Sequence, residues 1–264
     1  MLKAKNPKIN LSVYPMPEAT TVVNKKYYQP FIQAGVACVF SSRHLENMSL
    51  FYGDTKNSLD NRNNFLRGLG IDYRHLVCAR QVHGSRIKYV KEEDLGRGSL
   101  ASADSIPDSD AFITDKKNLP LAIFTADCLS VFLYDPKVKA IGLIHAGWRS
   151  TKDAITEKTI QAMRKTFGTH PQDLYAGFGP SIRSCCYEVG SEFSNLFTHG
   201  LIRRENSYYL DLTGINREQL LNSGVKDEFI FDPGICTSCR NEDFFSFRNE
   251  GASCGRIMSV AILS

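Results

Sequence analysis

Two apolar runs joined by a short turn-forming segment constrain this chain more than any other feature. The runs are Leu119–Tyr134 and Ala140–His145, and Asp135-Pro136-Lys137-Val138 follows the first of them. Proline presets φ at the second position of a turn, and aspartate accepts local hydrogen bonds at the first. The sequence therefore predicts a β-hairpin whose two strands are both buried.

The predicted hairpin brings together two side chains that bind soft metals. If the loop holds two or four residues, its centre lies between Pro136 and Lys137, and Cys128 faces His145 across the ladder. Directly opposed residues of an antiparallel pair have Cβ atoms roughly 4.5–5.5 Å apart. We therefore expect these two side chains to share one metal ion, whereas a loop of odd length would shift the register by one.

A third candidate ligand is His83, which precedes a glycine at the end of a β-rich stretch upstream of the hairpin. Two histidines and one cysteine leave one tetrahedral position open, the pattern of catalytic rather than structural zinc. Water in that position reaches a pKa of about 7. The sequence thus predicts a catalytic zinc site made of His83, Cys128 and His145.

Seven motifs resemble, in their order along the chain, those of the laccase-domain family. Members of this family are also called YfiH-like proteins, peptidoglycan editing factors or zinc-dependent purine nucleoside phosphorylases. The resemblance covers the chain from about Gln33 onward, and its motifs are QVHG, DAFIT, TADC, HAGWR, GPSI with RSCCYEVG, DLTGINREQL, and CTSC with FFSFR. The family's zinc ligands are the histidine of QVHG, the cysteine of ADC and the histidine of HAGWR. The resemblance therefore implies the same three ligands, His83, Cys128 and His145.

The pattern of strands and helices predicts an α+β fold, because hairpins outnumber regular βαβ units. The resemblance implies more: a four-layer α/β/β/α sandwich with mixed sheets, YfiH-like and related to bacterial toxins that act as cysteine hydrolases. No Pro/Gly/Ser-rich linker divides the chain. We predict one domain over residues 1–264, with residues 1–26 as an N-terminal extension.

Hydrophobic spacing predicts individual elements. We expect helices over Ser58–Leu69 and from Ser150 or Thr151 to about Phe167, the latter ended by Gly168. Strands are predicted over Phe31–Phe40 and Phe244–Phe247, among others.

The resemblance implies an enzyme acting on purine nucleosides. The expected reactions are phosphorolysis of adenosine, inosine, guanosine and methylthioadenosine, and deamination of adenosine. The partners would then be a small-molecule nucleoside and phosphate.

Three alternatives remain open. In a peptidoglycan-precursor editing hydrolase, Cys128 would be the nucleophile and His145 its base. A copper-dependent polyphenol oxidase would need more histidines than the six present, although copper is expected to bind this ligand set in vitro because it outcompetes zinc at most nitrogen and sulfur sites. A scaffold with purely structural zinc would normally use four ligands rather than three.

Four residues are candidates for substrate binding. Arg149 follows a glycine turn at a helix start and could bind phosphate or stack on Trp148. Gly179 lies in a second glycine turn, where backbone can approach a ligand closely. Arg43 lies where the family has a substrate-side loop, and Arg248 follows an aromatic run and is expected at the cleft, unless it is ion-paired or solvated.

Four further cysteines have spacings that suggest metal or redox chemistry. Cys236 and Cys239 have the C-x2-C spacing of a zinc knuckle, and Cys185 and Cys186 are adjacent. Neighbouring residues cannot easily aim both sulfurs at one ion, and no second C-x2-C is present. We therefore expect structural or redox-sensitive thiols rather than a second zinc.

Charge and hydropathy exclude several classes of partner. The net charge of +4 is scattered without a dense basic run, which argues against nucleic-acid binding. The first residues lack the apolar core of a signal peptide, and no uncharged apolar run reaches the length of a membrane span. We predict a cytoplasmic protein with no membrane partner, and no feature of the sequence specifies an oligomeric state.

Overall fold

The computed structural model describes Phe31 and residues 35–264. The strands in this part of the chain are β1 Val36–Phe40, β2 Val77–Cys78, β3 Ile87–Tyr89, β4 Ala111–Thr114, β5 Leu121–Thr125, β6 Leu129–Asp135, β7 Ala140–Ala146, β8 Tyr175–Phe178, β9 Glu188–Val189, β10 Leu201–Arg204, β11 Ser207–Leu210, β12 Ile230–Phe231 and β13 Ile257–Leu263. The α-helices there are α1 Thr55–Arg67, α2 Trp148–Lys152, α3 Ile155–Phe167, α4 Leu212–Asn222 and α5 Phe247–Glu250.

Two mixed sheets form the centre of the fold. One has the strand order β1-β13-β5-β2 and the other β12-β8-β6-β7-β4-β3, while β10, β11 and β9 form a small third sheet. Most pairs are antiparallel, but β2 runs parallel to β5, β3 to β4 and β12 to β8. The predicted α+β class with mixed sheets is confirmed.

The two large sheets pack face to face, and each is covered on its outer face by helices. Phe132 and Leu143 of the six-stranded sheet share a core with the four-stranded sheet, and Ser130 Oγ lies 3.0 Å from Ser259 Oγ across this interface. Val131 belongs to a second core with α3, because successive side chains of a strand point to opposite faces.

Helix α1 covers the outer face of the four-stranded sheet. The guanidinium carbon of Arg62 in this helix lies 4.8 Å from the ring centroid of Phe124 in β5. With α3 on the far side of the other sheet, the layer order is α/β/β/α, as the resemblance implied.

The hairpin forms where the sequence predicts it, but with a different register. Pro136–Lys139 form a four-residue loop, and the Asp135 carboxylate accepts the backbone N–H of Lys137 at 2.9 Å and of Val138 at 3.3 Å. The loop centre therefore lies one residue later than predicted. His145 pairs with Ser130, so the predicted pairing of Cys128 with His145 is wrong.

The long helix predicted to end at Gly168 is interrupted. Helix α2 begins at Trp148, and α3 begins only after Ala154, which has a left-handed φ of 56°. Gly168 ends α3 with a φ of 74°, as predicted.

Two of the predicted strands need correction. The strand predicted from Phe31 begins at Val36, while residues 32–34 and the predicted extension over residues 1–26 lie outside the described residues. Phe244–Phe247 do not form a strand, because Phe244 N–H bonds to the Arg240 carbonyl and Ser246 N–H to Glu250 Oε1. Among the described residues, no helix has the length and apolar character needed to cross a bilayer.

Candidate metal centre

His145 occupies the end of β7, on the buried face between the two large sheets. The register of β4 against β7 places Asp110 opposite it, and His145 N–H donates to the Asp110 carbonyl at 2.7 Å. The ring atom Nδ1 lies 2.8 Å from Asp110 Oδ1. This contact occupies Nδ1 and leaves Nε2 as the nitrogen available to bind a metal.

His83 lies in the loop after β2 and is fixed by the same carboxylate. Asp110 accepts the backbone N–H of Val82 at 3.2 Å, of His83 at 3.0 Å and of Gly84 at 2.8 Å. His83 has a left-handed φ of 58°, which costs a non-glycine residue roughly 1–3 kcal/mol. The three hydrogen bonds to one carboxylate hold the loop in this conformation.

Cys128 lies in the bend that carries the chain from β5 of one sheet to β6 of the other. The bend is made by Asp127, which has a φ of 82°. Its carboxylate accepts the Thr237 hydroxyl and the Arg248 backbone N–H, each at 2.7 Å. Asp127 therefore fixes the backbone conformation of the bend and, through it, the position of Cys128. Strand alternation alone did not predict this role.

These three elements bring the predicted ligands together. One ligand atom from each of His83, Cys128 and His145 lies within 4.8 Å of the others, and Cys128 Sγ is 3.7 Å from His83 Nε2. The predicted convergence is present although the predicted strand pairing is not.

Gly147 provides the space for this cluster. A Cβ atom at this position would lie 2.8 Å from Cδ2 of His83 and 3.2 Å from Cys128 Sγ. Any side chain here would displace these two ligands, so the site requires a glycine at position 147.

The charges of the cluster suit a metal ion. Burial by itself raises the pKa of the Cys128 thiol, but His145 and His83 together lower it to about 6. Burial lowers the pKa of His145, and the Cys128 and Asp110 charges more than reverse this, raising it to about 9. The result without metal is a thiolate beside an imidazolium, and a zinc ion would take the place of the imidazolium proton. Within the described residues these three donors form the whole cluster, which fits a three-ligand zinc site.

A cavity of about 520 Å³ opens above the three ligands. This volume is in the range of small-molecule sites. Four arginines reach its lining, whereas Asp127, already bonded to Thr237, is its only carboxylate among the described residues. Arg80 is paired with Asp108, whereas Arg149, Arg248 and Arg256 have no ion-pair partner among the described residues, and the cavity is therefore suited to an anionic group.

Two of the four predicted substrate-binding residues line this cavity. The guanidinium carbon of Arg149 lies 4.3 Å from the Trp148 ring centroid, and within the described part of the chain the group has no hydrogen-bond partner. Arg248 donates to the Glu188 carbonyl at 2.6 Å, and its guanidinium carbon lies 5.5 Å from the Tyr187 ring centroid.

The other two lie away from the cavity. Arg43 forms an ion pair with Glu250 at 2.5 Å, and its guanidinium carbon stands 4.8 Å from the Phe245 ring centroid. Gly179 is packed against β6, where its N–H donates to the Ser130 carbonyl at 2.9 Å. Their contacts within the protein account for both residues, so the structure does not bring them to the predicted site.

Aromatic side chains form much of the cavity wall. Tyr187 lines the cavity, whereas Phe178 is fully buried in the core. Phe51, Tyr52 and Phe247 line the cavity but were not singled out in the sequence. They are about half exposed, at 44%, 46% and 51%, and no sequence pattern separates such residues from core aromatics.

A family model and relatives of known name match most of this chain. A family model described as multi-copper polyphenol oxidoreductase laccase matches residues 38–264. The purine nucleoside phosphorylase YlmD of Geobacillus stearothermophilus is 34% identical over 223 residues, covering 81% of each chain. The adenosine deaminase RL5 of an unknown prokaryotic organism is 29% identical over 212 residues, covering 77% of this chain and 80% of that protein.

Solved structures resemble the fold over most of its length. The hypothetical protein YfiH of Bacillus licheniformis matches with a TM-score of 0.84 and 30% identity, over 89% of this chain and 94% of that one. YlmD of Geobacillus stearothermophilus matches with a TM-score of 0.83 and 31% identity, over 87% and 92%.

Proposed function

The chain belongs to the multi-copper polyphenol oxidoreductase laccase family, and on that premise we propose that it is a zinc-dependent purine nucleoside phosphorylase that also deaminates adenosine. The observation that carries this proposal is the position of the His83, Cys128 and His145 cluster beneath a cavity lined by arginines and aromatic rings. Two relatives that are 34% and 29% identical to this chain are named for these two activities, purine nucleoside phosphorylase and adenosine deaminase.

Zinc is the metal that the donors favour. His83, Cys128 and His145 would hold it, and Asp110 would fix the orientation of both histidines. A bound zinc ion would supply Lewis acidity at the base of the cavity. Multi-copper oxidation would need additional histidine clusters, and within the described residues His83 and His145 are the only histidines in a potential metal-binding group.

The remaining cavity residues suit the substrates. Tyr187 presents a ring against which a purine base can stack, and the guanidinium of Arg149 can form charge-assisted hydrogen bonds to phosphate. In phosphorolysis a phosphate oxygen forms a bond to ribose C1′, the C1′–N9 bond breaks, and the departing purine takes up a proton. In deamination water replaces the C6 amino group, which leaves as ammonia.

The test is incubation of purified protein with adenosine, with and without phosphate, followed by chromatography of the products. Adenine with ribose 1-phosphate indicates phosphorolysis, and inosine indicates deamination. If neither product forms with zinc-loaded protein, the proposal is wrong. His83→Ala, which removes one ligand, should abolish both products, and Arg74→Ala, which changes a residue outside the cavity lining, should abolish neither.

A cysteine hydrolase acting on a peptidoglycan precursor is the second candidate. Cys128, His145 and Asp110 are arranged as nucleophile, base and orienting carboxylate. In that reaction Sγ would form a bond to an amide carbonyl carbon, the C–N bond would break, and His145 would protonate the departing amine; water would then hydrolyse the thioester, releasing the carboxylic acid and regenerating the thiol. Activity that survives chelators but is lost on alkylation of Cys128 would support this reaction, whereas zinc chemistry requires loss with chelators and protection of the thiol by the ion.

A further inference from the structure

Four cysteine sulfurs form a second group, separate from the cluster of His83, Cys128 and His145. They come from two loops, one carrying Cys185 and Cys186 and the other carrying Cys236 and Cys239. All four sulfurs are within 4.8 Å of one another. The sulfur of Cys239 lies 3.3 Å from that of Cys186 and 3.5 Å from that of Cys185.

The backbone of the first loop explains how adjacent cysteines reach the same point. The carbonyl of Arg183 accepts the N–H groups of Cys186 at 2.9 Å and of Tyr187 at 2.8 Å, which closes a tight turn. Both cysteine side chains leave this turn toward the second loop. The expectation that neighbouring residues could not aim at one ion is therefore wrong for this pair.

A short parallel contact holds the second loop beside the first. Ser181 N–H donates to the Ile235 carbonyl at 3.3 Å, and Thr237 N–H donates to the Ser181 carbonyl at 3.1 Å. Ser181 and Cys236 thereby form an isolated β-bridge. This contact fixes the position of the C-x2-C turn relative to the cysteine pair.

The spacing of the sulfurs matches a tetrahedral thiolate site. A Zn–S bond of about 2.3 Å in tetrahedral geometry places the sulfurs about 3.8 Å apart. The separations of 3.3 and 3.5 Å from Cys239 and the upper limit of 4.8 Å for all four sulfurs lie on either side of that value. A disulfide would need a separation of about 2.05 Å and could join only two of the four atoms.

We propose that Cys185, Cys186, Cys236 and Cys239 bind a second zinc ion, whose role is structural. All four coordination positions are filled by protein thiolates, which distinguishes this site from the three-ligand cluster beneath the cavity. Binding releases the thiol protons to solvent.

The site joins two loops that build the cavity. Tyr187, which lines the cavity, directly follows Cys186. Thr237 lies inside the C-x2-C turn and donates its hydroxyl to Asp127, next to Cys128. A zinc ion bound to the four cysteines would therefore hold both the wall of the cavity and the bend that carries Cys128.

Metal quantification on full-length protein purified under reducing conditions without added ions tests this proposal. We expect two zinc ions per chain in the wild type. Cys239→Ser should lose one of them and retain the other, and His83→Ala should also retain one. Cys78→Ala, a buried cysteine outside both clusters, should retain two.

Cobalt substitution gives a second measurement on the unmodified protein. Wild-type protein loaded with cobalt should show thiolate-to-metal charge-transfer absorption from both sites. His83→Ala should lose only the smaller part of this absorption, because the first site has one thiolate and the second site has four. This readout decides the question if Cys239→Ser does not fold. A single zinc per wild-type chain that Cys239→Ser retains, or an intact mass showing a disulfide among the four cysteines, would overturn the proposal.

Discussion

Asp110 Oδ1 lies 2.8 Å from Nδ1 of His145, and the same carboxylate accepts three backbone N–H groups from the loop that carries His83. One side chain thus orients two of the three candidate ligands. Burial raises the pKa of this carboxyl, but His145 and the backbone amides outweigh that effect and lower it below its usual value. Asp110 is therefore charged at neutral pH and can hold both ligands.

Asp110→Asn should weaken zinc binding about 10–100-fold, since outer carboxylates of this kind contribute that much to metal affinity. The measurement is a competition titration of zinc against a chelator of known affinity. Asp108→Asn, which changes a nearby carboxylate paired with Arg80, is the control and should bind zinc like the wild type. Equal affinities of the two variants would contradict the role of Asp110.

Gly147→Ala should reduce zinc content and activity together. The new Cβ would stand 2.8 Å from Cδ2 of His83, closer than real Cβ atoms approach, and would displace that ring. Gly84→Ala, in the loop of His83, is a matched control because its Cβ would meet its nearest atoms at an ordinary 3.5 Å. Zinc analysis of both folded variants checks this, and full zinc content in Gly147→Ala would refute it.

Cys128 in metal-free protein should react with iodoacetamide at a rate that rises with pH through about 6 and levels off above it. The thiolate is the reactive form, and below about pH 6 the proton returns to sulfur. An ordinary thiol would continue to gain reactivity up to about pH 8.5. Peptide mass mapping of the labelled residue gives the profile, zinc should suppress the labelling, and a midpoint near that of an ordinary thiol would contradict the charge assignment.

Arg149→Ala should lower kcat/KM for phosphate about 10–100-fold, the loss expected for one charged hydrogen-bonding group. Deamination of adenosine needs no phosphate and should fall by a smaller factor. Steady-state kinetics of both reactions on one preparation make the comparison. Arg74→Ala, an exposed arginine paired with Asp72, should change neither. Equal losses in both reactions would place Arg149 at the nucleoside rather than at phosphate.

Gly179→Ala should destabilise the protein by about 1–3 kcal/mol without changing the activity per folded molecule. A Cβ here would lie 2.0 Å from Ser130 Oγ, which is packed in the buried interface between the two large sheets. Gly68→Ala is the control, because its Cβ would meet only the Phe65 carbonyl at 4.0 Å. Urea unfolding of both variants measures the effect. An altered KM with unchanged stability would instead restore Gly179 to the substrate site.

The three candidate ligands were identifiable from the sequence because each lies in a short, distinctive motif at the end of a β segment. The resemblance implied all three ligands, whereas the hairpin register that was used to bring Cys128 and His145 together is wrong. Asp135 accepts two amides of the loop and moves its centre by one residue, so that His145 faces Ser130. The bend at Asp127 brings Cys128 back to the cluster, and a left-handed aspartate leaves no periodic signal in a sequence.

Contacts between distant segments set the limit of sequence-based prediction here. Arg43 pairs with Glu250, more than two hundred positions away, so its motif gave no sign that the side chain was already engaged. The same limit applies to Cys185 and Cys186, whose turn at Arg183 and placement beside Cys239 depend on the fold. Local hydrogen bonds likewise converted the aromatic run after Phe244 into a turn and a short helix.

Because Cys128 lies where the chain crosses between the two sheets, while His145 is anchored to only one, the affinity of the site for an ion is coupled to the alignment of those sheets. A substitution at the buried contact between Ser130 and Ser259 would retune that affinity without altering any ligand. Conversely, an ion bound by both Cys128 and His145 would oppose movement of one sheet relative to the other. The metal would then stabilise the packing of the two sheets in addition to any chemical role.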